Sequence, residues 1–273
     1  MKKPKSSVII STYNQPKWLK KVLYGYEQQI ESDFEIIIAD DGSNQETKLV
    51  IDQFKSLSKI PVKHIWQEDN GFNKTKILNK AIKIVDSDYL IFTDGDCIPR
   101  SDFVKKHLEL RKENCFLSGG YFKLPKHISK AISHEDIIEQ RCFDKDWLLS
   151  KGLKINFKIN KLTSFGFKEW FLNTFTTTKA TWDGMNTSGW KKDILKVNGF
   201  DERMKYGGED REMGERLINL GIMPIQARYS LICVHLHHER PYKNEEAMII
   251  NKEIRKQTKS NKSTFTKFGI IKK

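Results

Sequence analysis

Residues 88–96 read DYLIFTDGD: an apolar run, Tyr89-Leu90-Ile91-Phe92, that stops on Thr93-Asp94-Gly95-Asp96. An apolar run without alternation marks a strand buried on both faces, and the Asp and Gly that come after it are turn formers. Two similar runs precede it. Residues 7–11 (SVIIS) close on Thr12-Tyr13-Asn14, and residues 35–39 (EIIIA) close on Asp40-Asp41-Gly42-Ser43. Residues 62–66 are a further expected strand. Amphipathic stretches lie between them: a helix over about 16–29, a second that a Ser43/Glu46 capping box opens toward Leu57, and a third capped by Asn73, with Ile77, Leu78, Ala81, Ile82 and Val85 on its apolar face. Strand–helix alternation with unalternating strands predicts an α/β fold, a mostly parallel sheet flanked by helices. Such sheets bind ligands beyond the carboxyl ends of their strands, where this sequence gathers its polar residues.

From about residue 126 the rhythm breaks. Residues 127–175 read as helical, carry Trp147, Trp170 and many Phe and Lys, and hold no parallel-type strand. Next come a polar run at 181–189 (TWDGMNTSG), then Gly199-Phe200-Asp201-Glu202 and Tyr206-Gly207-Gly208-Glu209-Asp210. Glu209 and Asp210 open a helix with Met213, Leu217 and Leu220 on one face. A short apolar strand at 231–234 leads into His235-Leu236-His237-His238. Neither an internal repeat nor a low-complexity linker interrupts the chain before residue 251.

At 38% hydrophobic and 11% aromatic, the chain can build a packed core. No run approaches the ~20 apolar residues of a membrane span, and the first residues, MKKPKSSVIIST, turn polar too soon for a signal peptide. A cytoplasmic location is expected. Cys97, Cys115, Cys142 and Cys233 lie far apart with no CxxC pair, which argues against a zinc site or a disulfide framework. The net charge of +13 is unevenly spread, because residues 251–273 hold eight Lys or Arg against Glu253 alone. Such a tail either meets an anionic membrane surface or stays a solvated, partly disordered terminus. No nucleic-acid-binding signature accompanies the charge, so no nucleic-acid partner is expected.

Four groups can carry chemistry. Asp94 and Asp96, one residue apart beyond a strand, can hold a hard divalent cation against a diphosphate, or form an ordinary turn. Asp40 and Asp41 can accept hydrogen bonds from a nucleoside, while Ser43 caps a helix. Glu209 and Asp210 either complement a helix dipole or supply a general base; the dipole is expected to hold their pKa down. In His235, His237 and His238, strand alternation puts the first two on one face and His238 on the other. An imidazole beside carboxylates suits Mn²⁺ better than Mg²⁺.

Taken together, these motifs resemble family 2 glycosyltransferases of the GT-A fold, in SVIISTYN, EIIIADDGS and DYLIFTDGDCIP. The later stretches are similar to animal β-1,4-galactosyltransferases and bacterial chondroitin and hyaluronan polymerase domains: GFNKTKILNKAI (71–82), FTDGDCIP (92–99), GWKKDILKVNGFDE (189–202), YGGEDREMGERL (206–217) and HHERPYKNE (237–245). The resemblance implies an inverting, metal-dependent transfer of a sugar from a UDP-sugar to a hydroxyl of a glycan or glycolipid acceptor. It implies that Thr12, Tyr13 and Asp40 or Asp41 line the nucleoside pocket and that Asn73 and Lys74 reach the uridine diphosphate. Asp96 and His238 would bind the metal, His235 would stand where a second, softer ligand stands, and Asp94 would sit on the ribose or the metal. Asp210 would be the base, with Glu209 on sugar or acceptor hydroxyls. Tyr206 takes the place of a Trp on a mobile loop that closes over donor and acceptor. Residues 127–175 have no alignable counterpart, so acceptor recognition is expected partly there.

The expected organisation is one GT-A domain over 1–250, with a nucleotide-binding half (about 1–125), an acceptor half (126–250) and a basic tail (251–273). The expected setting is bacterial surface polysaccharide or lipopolysaccharide assembly, peripheral to the inner face of the plasma membrane. A nucleotidyltransferase would carry a glycine-rich basic phosphate loop where STYNQPKW stands, and a glycoside hydrolase has no use for both DDGS and DGD at successive strand ends. A noncatalytic binding module acting through the tail is the remaining alternative.

Overall fold

The computed structural model describes residues 3–239 and 244–272. Residues 240–243 of the stretch HHERPYKNE therefore lie outside the described residues. Among the described residues, ten strands build two sheets: β1 (Ser6–Thr12), β2 (Phe34–Asp40), β3 (Val62–Trp66), β4 (Tyr89–Asp94), β5 (Cys97–Pro99), β6 (Cys115–Ser118), β7 (Gly120–Lys123), β8 (Asn186–Trp190), β9 (Met223–Gln226) and β10 (Ile232–His235). The larger sheet has the order β3-β2-β1-β4-β8-β6-β9, and the smaller is β5-β10-β7. All pairings in the larger sheet are parallel except the two that β8 makes with β4 and β6. The α/β class expected from the sequence is the one observed.

The apolar runs are buried on both faces. Val8, Ile10, Ile36, Ile38 and Ile91 pack with Leu19, Val22, Leu23 and Tyr26 of the helix Pro16–Glu27. Their neighbours Ile9, Ile37, Leu90 and Phe92 pack on the other face with Ile77, Leu78, Ala81 and Ile82 of the helix Lys74–Ile84. Residues 127–175 form only short helices and turns, as expected.

Four local expectations are corrected. The second helix is Gln45–Leu57, capped by Asn44, whose side chain accepts from the Thr47 N–H. The Ser43 hydroxyl instead accepts from the Asn14 N–H, tying the loops after β1 and β2 together. Asn73 stands at the N-cap of the third helix without a capping hydrogen bond, because its side-chain oxygen accepts from Lys205 Nζ at 2.8 Å. The polar run 181–189 conceals β8, an inner strand whose Asn186, Thr187 and Ser188 are all buried. Residue 250 lies inside the helix Glu245–Ser260, and the residues beyond that helix are no free tail. Thr258 donates to Glu212 at 2.9 Å, Asn198 Nδ2 donates to the carbonyls of Thr266 and Ile271, and Ile270 packs on the core. No described helix is long and apolar enough to cross a membrane.

The polar surface of β8 is matched by His107, on the helix Phe103–Leu110. Asn186 Nδ2 donates to the carbonyls of Gly120 and Leu231, which couples the two sheets. That leaves Asn186 Oδ1 to accept from His107 Nε2 at 3.1 Å, so Nδ1 accepts from the Ser188 hydroxyl at 2.7 Å. Ser188 in turn accepts from Tyr89. Every group is satisfied only while His107 is neutral, and burial pushes its pKa down to about 3. The unfolded chain takes this proton near pH 6.5. Stability attributable to His107 is therefore present above that pH and is lost as pH falls toward 3, by about 1.4 kcal/mol per pH unit. Thermal unfolding across pH 7 to 4 is expected to show a shallower decline for His107→Gln than for the parent chain. Equal slopes would remove the neutral-histidine account.

Candidate active site

The carboxyl ends of β1 and β4 are adjacent and parallel, with Ser11 in register with Asp94. The Ser11 hydroxyl donates to Asp94 Oδ1 at 2.6 Å, and Lys74 Nζ donates to the same oxygen at 2.8 Å. Lys74 also lies 3.8 Å from Asp210 Oδ2. Burial works against the Lys74 charge, but Asp210 and Asp94 outweigh it and hold the ammonium's pKa well above its ordinary value. One cation thus joins the end of β4 to the helix Glu209–Asn219.

Asp96 stands next, in the turn into β5. Antiparallel pairing sets His235, the last residue of β10, opposite Cys97. His238 Nε2 approaches Asp96 Oδ2 to 3.0 Å and His235 Nε2 to 3.8 Å, and the two rings stack with centroids 5.3 Å apart. The expected alternation fails here because the strand ends at His235: His235 and His238 converge on Asp96, and the buried His237 Nδ1 has no hydrogen-bond partner among the described residues. Burial opposes ionisation of Asp96, yet the His238 hydrogen bond and both imidazoles hold its pKa below the usual value. No Lys or Arg among the described residues pairs with it. Cys97 Sγ is also close, but burial pushes that thiol's pKa well above its ordinary value. The Cys97 thiol donates to Asp96 Oδ1 at 3.4 Å.

Glu209 and Asp210 occupy the first turn of their helix, after Gly207 and Gly208 at φ 113 and 93. Positive φ at two successive residues turns the chain sharply enough to aim both carboxylates inward. Glu209 accepts from the Gly207 N–H at 2.8 Å. Asp210 Oδ1 is buried without a hydrogen-bond partner among the described residues, and a Cβ on Gly184 would stand 2.5 Å from Oδ2, so only glycine lets residue 184 cover it. Burial, with help from Glu209, Asp94 and Asp183 and against Lys74, pushes Asp210 up to about 8. This corrects the expectation of a depressed value: desolvation outweighs the helix dipole.

Thr12, Tyr13, Asp41, Lys74, Asp94, Asp96, Tyr206, Glu209, Asp210, His235 and His238 all line one cleft of about 950 Å³. Two expected residues do not. Asp40 is fully buried, with its carboxylate accepting from the Ser43 N–H and facing His64, so it holds the loop after β2. Asn73 turns its side chain to Lys205, and its N–H donates to Asp41 Oδ2 at 2.8 Å. Asp41 also accepts from Gln67 at 2.6 Å. Thr12 Oγ1 is buried without a hydrogen-bond partner among the described residues. Tyr206 sets its ring edge-on to Phe72 at 5.7 Å.

Sequence reasoning missed Trp182, Asp183 and Met185 as cleft residues, and Arg211, Met248 and Lys252 with them. Burial, with Asp94 adding to it, raises the pKa of Asp183. The only available signal was the Trp-Asp-Gly of the polar run. Lys252 comes from the segment read as a tail.

Residues 7–168 match glycosyl transferase family 2, and residues 174–239 match the N-terminal domain of galactosyltransferase. The chain is 26% identical over 230 residues to a chondroitin synthase of Escherichia coli, covering 79% of this chain and 32% of that protein. It is 24% identical over 267 residues to a validoxylamine A glucosyltransferase of Streptomyces hygroscopicus, covering 91% and 59%. The chain thus spans less than two thirds of these relatives. Among solved structures, Staphylococcus aureus TarS 1–349 in complex with UDP-GlcNAc superposes at a TM-score of 0.63 with 15% identity, covering 94% of this chain and 69% of that one. The mannosyltransferase PcManGT of Pyrobaculum calidifontis, in complex with GDP-Man and Mn²⁺, superposes at 0.59 with 17% identity, covering 89% and 59%. These neighbours share the GT-A architecture.

An aspartate whose folded pKa is raised costs stability as pH rises from its unfolded value, near 4, through 8. Asp210→Asn removes that cost and leaves Lys74 paired with Asp94. Near pH 8 the variant is expected to unfold at a higher temperature, with a gain on the order of 1–3 kcal/mol that vanishes near pH 4. A destabilised Asp210→Asn near pH 8 would contradict the raised pKa.

Proposed function

Because the chain belongs to glycosyl transferase family 2, we propose that it transfers a sugar from a uridine diphosphate donor to a hydroxyl of a glycan or glycolipid acceptor, inverting the anomeric centre. The observation that carries this reading is the sharing of one cleft by Asp96 with its two imidazoles and by the buried carboxylate Asp210. Solved neighbours bound to UDP-GlcNAc and to GDP-Man with Mn²⁺ support a nucleotide-sugar and a divalent cation. The chondroitin synthase relative supports a polysaccharide acceptor.

The donor set fits a divalent cation: one carboxylate held ionised and two imidazoles directed at it. Asp96, His238 and His235 would hold the ion, and nitrogen with oxygen favours Mn²⁺ over Mg²⁺. When bound, the cation supplies Lewis-acid neutralisation of the diphosphate leaving group. Lys74 adds a fixed positive charge beside Asp94, and Thr12 and Asp41 border the nucleoside end. Asp210 takes the proton of the acceptor hydroxyl as the new glycosidic bond forms. A pKa near the working pH suits that task, because the carboxylate then both holds and releases a proton. Glu209 and Asp183 stand beside it to bind sugar hydroxyls. Tyr206 lies at the rim, where a closing loop would cover the donor. The same proposal places the reaction in bacterial surface polysaccharide or lipopolysaccharide synthesis, peripheral to the inner face of the plasma membrane.

A panel of UDP-sugars with Mn²⁺ tests this by thermal shift and UDP release. A donor at about a hundred times its Kd is expected to stabilise the chain by about 2.7 kcal/mol. Asp96→Ala is expected to lose the metal-dependent part of that shift. Asp210→Asn is expected to keep it while turnover falls by about 10²–10⁴. Wild-type turnover by Asp210→Asn would reject the base assignment.

A further inference from the structure

The helix Gly166–Phe175 is inside out. Glu169 and Asn173 face the protein: Glu169 is buried and accepts from the Ser230 hydroxyl, and Asn173, one turn on, accepts from the Tyr229 N–H at 3.0 Å and donates to Ser230 at 2.8 Å. Its aromatic residues face outward. Phe167 is 78% exposed, Trp170 56%, Phe171 45% and Phe175 63%. Their rings form one continuous surface, with centroids of Phe167 and Trp170 5.5 Å apart and of Phe171 and Phe175 4.7 Å apart. The segment just before adds exposed Ile155 and Phe157 and exposed Phe165, over which the Arg100 guanidinium lies. A water-soluble surface rarely keeps such a patch without a partner.

The charges around the patch indicate the partner's chemistry. From Trp147 to Trp182 the chain holds six Lys and a single acid, the inward-facing Glu169. Lys151, Lys154, Lys158, Lys168 and Lys179 are exposed. Clustered Trp and Phe flanked by long basic side chains match the acyl–headgroup boundary of an anionic bilayer, where rings enter and ammonium groups reach phosphates. We infer that the aromatic face of the helix Gly166–Phe175, with its surrounding lysines, docks this protein on an anionic lipid surface. The inference rests on the peripheral placement proposed above and moves the contact from the basic segment 251–273, whose described residues are held against the core. The helix is fixed to Ser230, just before β10, whose other end carries His235 about 10 Å further on. A lipid-borne acceptor would thus be delivered near the cleft without the cleft entering the membrane.

Co-sedimentation of the full chain with phosphatidylglycerol and phosphatidylcholine vesicles, without donor or metal, tests the docking separately from the chemistry. Binding is expected to phosphatidylglycerol, weakening as salt rises. The double variant Phe167→Ser/Trp170→Ser is expected to lose it by tenfold or more, with an unchanged thermal midpoint. Lys154→Gln/Lys158→Gln/Lys168→Gln is expected to lose the preference for phosphatidylglycerol, and Lys259→Gln/Lys262→Gln to keep it. Equal sedimentation of parent and double variant would overturn the inference. So would a concentration-dependent dimer that the double variant abolishes while vesicle binding persists, which would make the patch a protein interface. Loss of vesicle binding by the parent chain while transfer persists would sink the docking alone and leave the transfer reading standing.

Discussion

Four carboxylates, Asp94, Asp183, Glu209 and Asp210, line one cleft, and Lys74 is the cation that offsets their repulsion. Its ammonium lies 2.8 Å from Asp94 and 3.8 Å from Asp210, so the end of β4 and the start of the helix Glu209–Asn219 are joined by a shared charge. The compensation is incomplete. One cation serves two direct partners, and burial still lifts Asp210 to about 8. A buried carboxylate with an elevated pKa is a liability in a fold and an asset in a proton acceptor. The glycines at 184, 207 and 208 serve the same end, because a side chain at 184 would collide with the carboxylate and positive φ at 207 and 208 sets its direction.

The strands β1 to β4 and the helices between them were legible because their signal is local: unbroken apolar runs mean burial on both faces, and each run ends in residues that cannot continue it. Asp94 and Asp96 were legible as candidates because they close an apolar run, and Glu209 and Asp210 because two carboxylates open a helix. What escaped was decided by tertiary contact. Asn186 and Ser188 gave no strand signal in the polar run because their side chains have partners, His107, Tyr89 and the carbonyls of Gly120 and Leu231, that lie far away in sequence. Asp40 was indistinguishable from Asp41 by composition; only the direction in which each leaves β2 separates them. The depressed pKa expected for Asp210 came from the helix dipole alone, and the desolvation that overrides it depends on chain segments distant in sequence, Gly184 among them.

The segment after residue 244 shows the same lesson in charge. Residues 251–273 read as a basic tail that meets a membrane or stays solvated, yet Asn251 holds the carbonyls of residues 205–207 and Arg255 pairs with Glu215, so this helix sets the wall beside Glu209 and Asp210. The Glu209–Asp210 side of the cleft therefore depends on residues after 244, while the Thr12–Asp41 side depends on the first two strands.

The central claim is spatial: a cation held by Asp96, His238 and His235 sits in the same cleft as the carboxylate of Asp210. Anomalous diffraction from crystals grown with Mn²⁺ and UDP tests it directly. The account predicts a manganese peak within coordination distance of Asp96 and His238, with the diphosphate on its cleft side and Asp210 free of the metal. A peak elsewhere, or manganese bound by Asp210 itself, would contradict it.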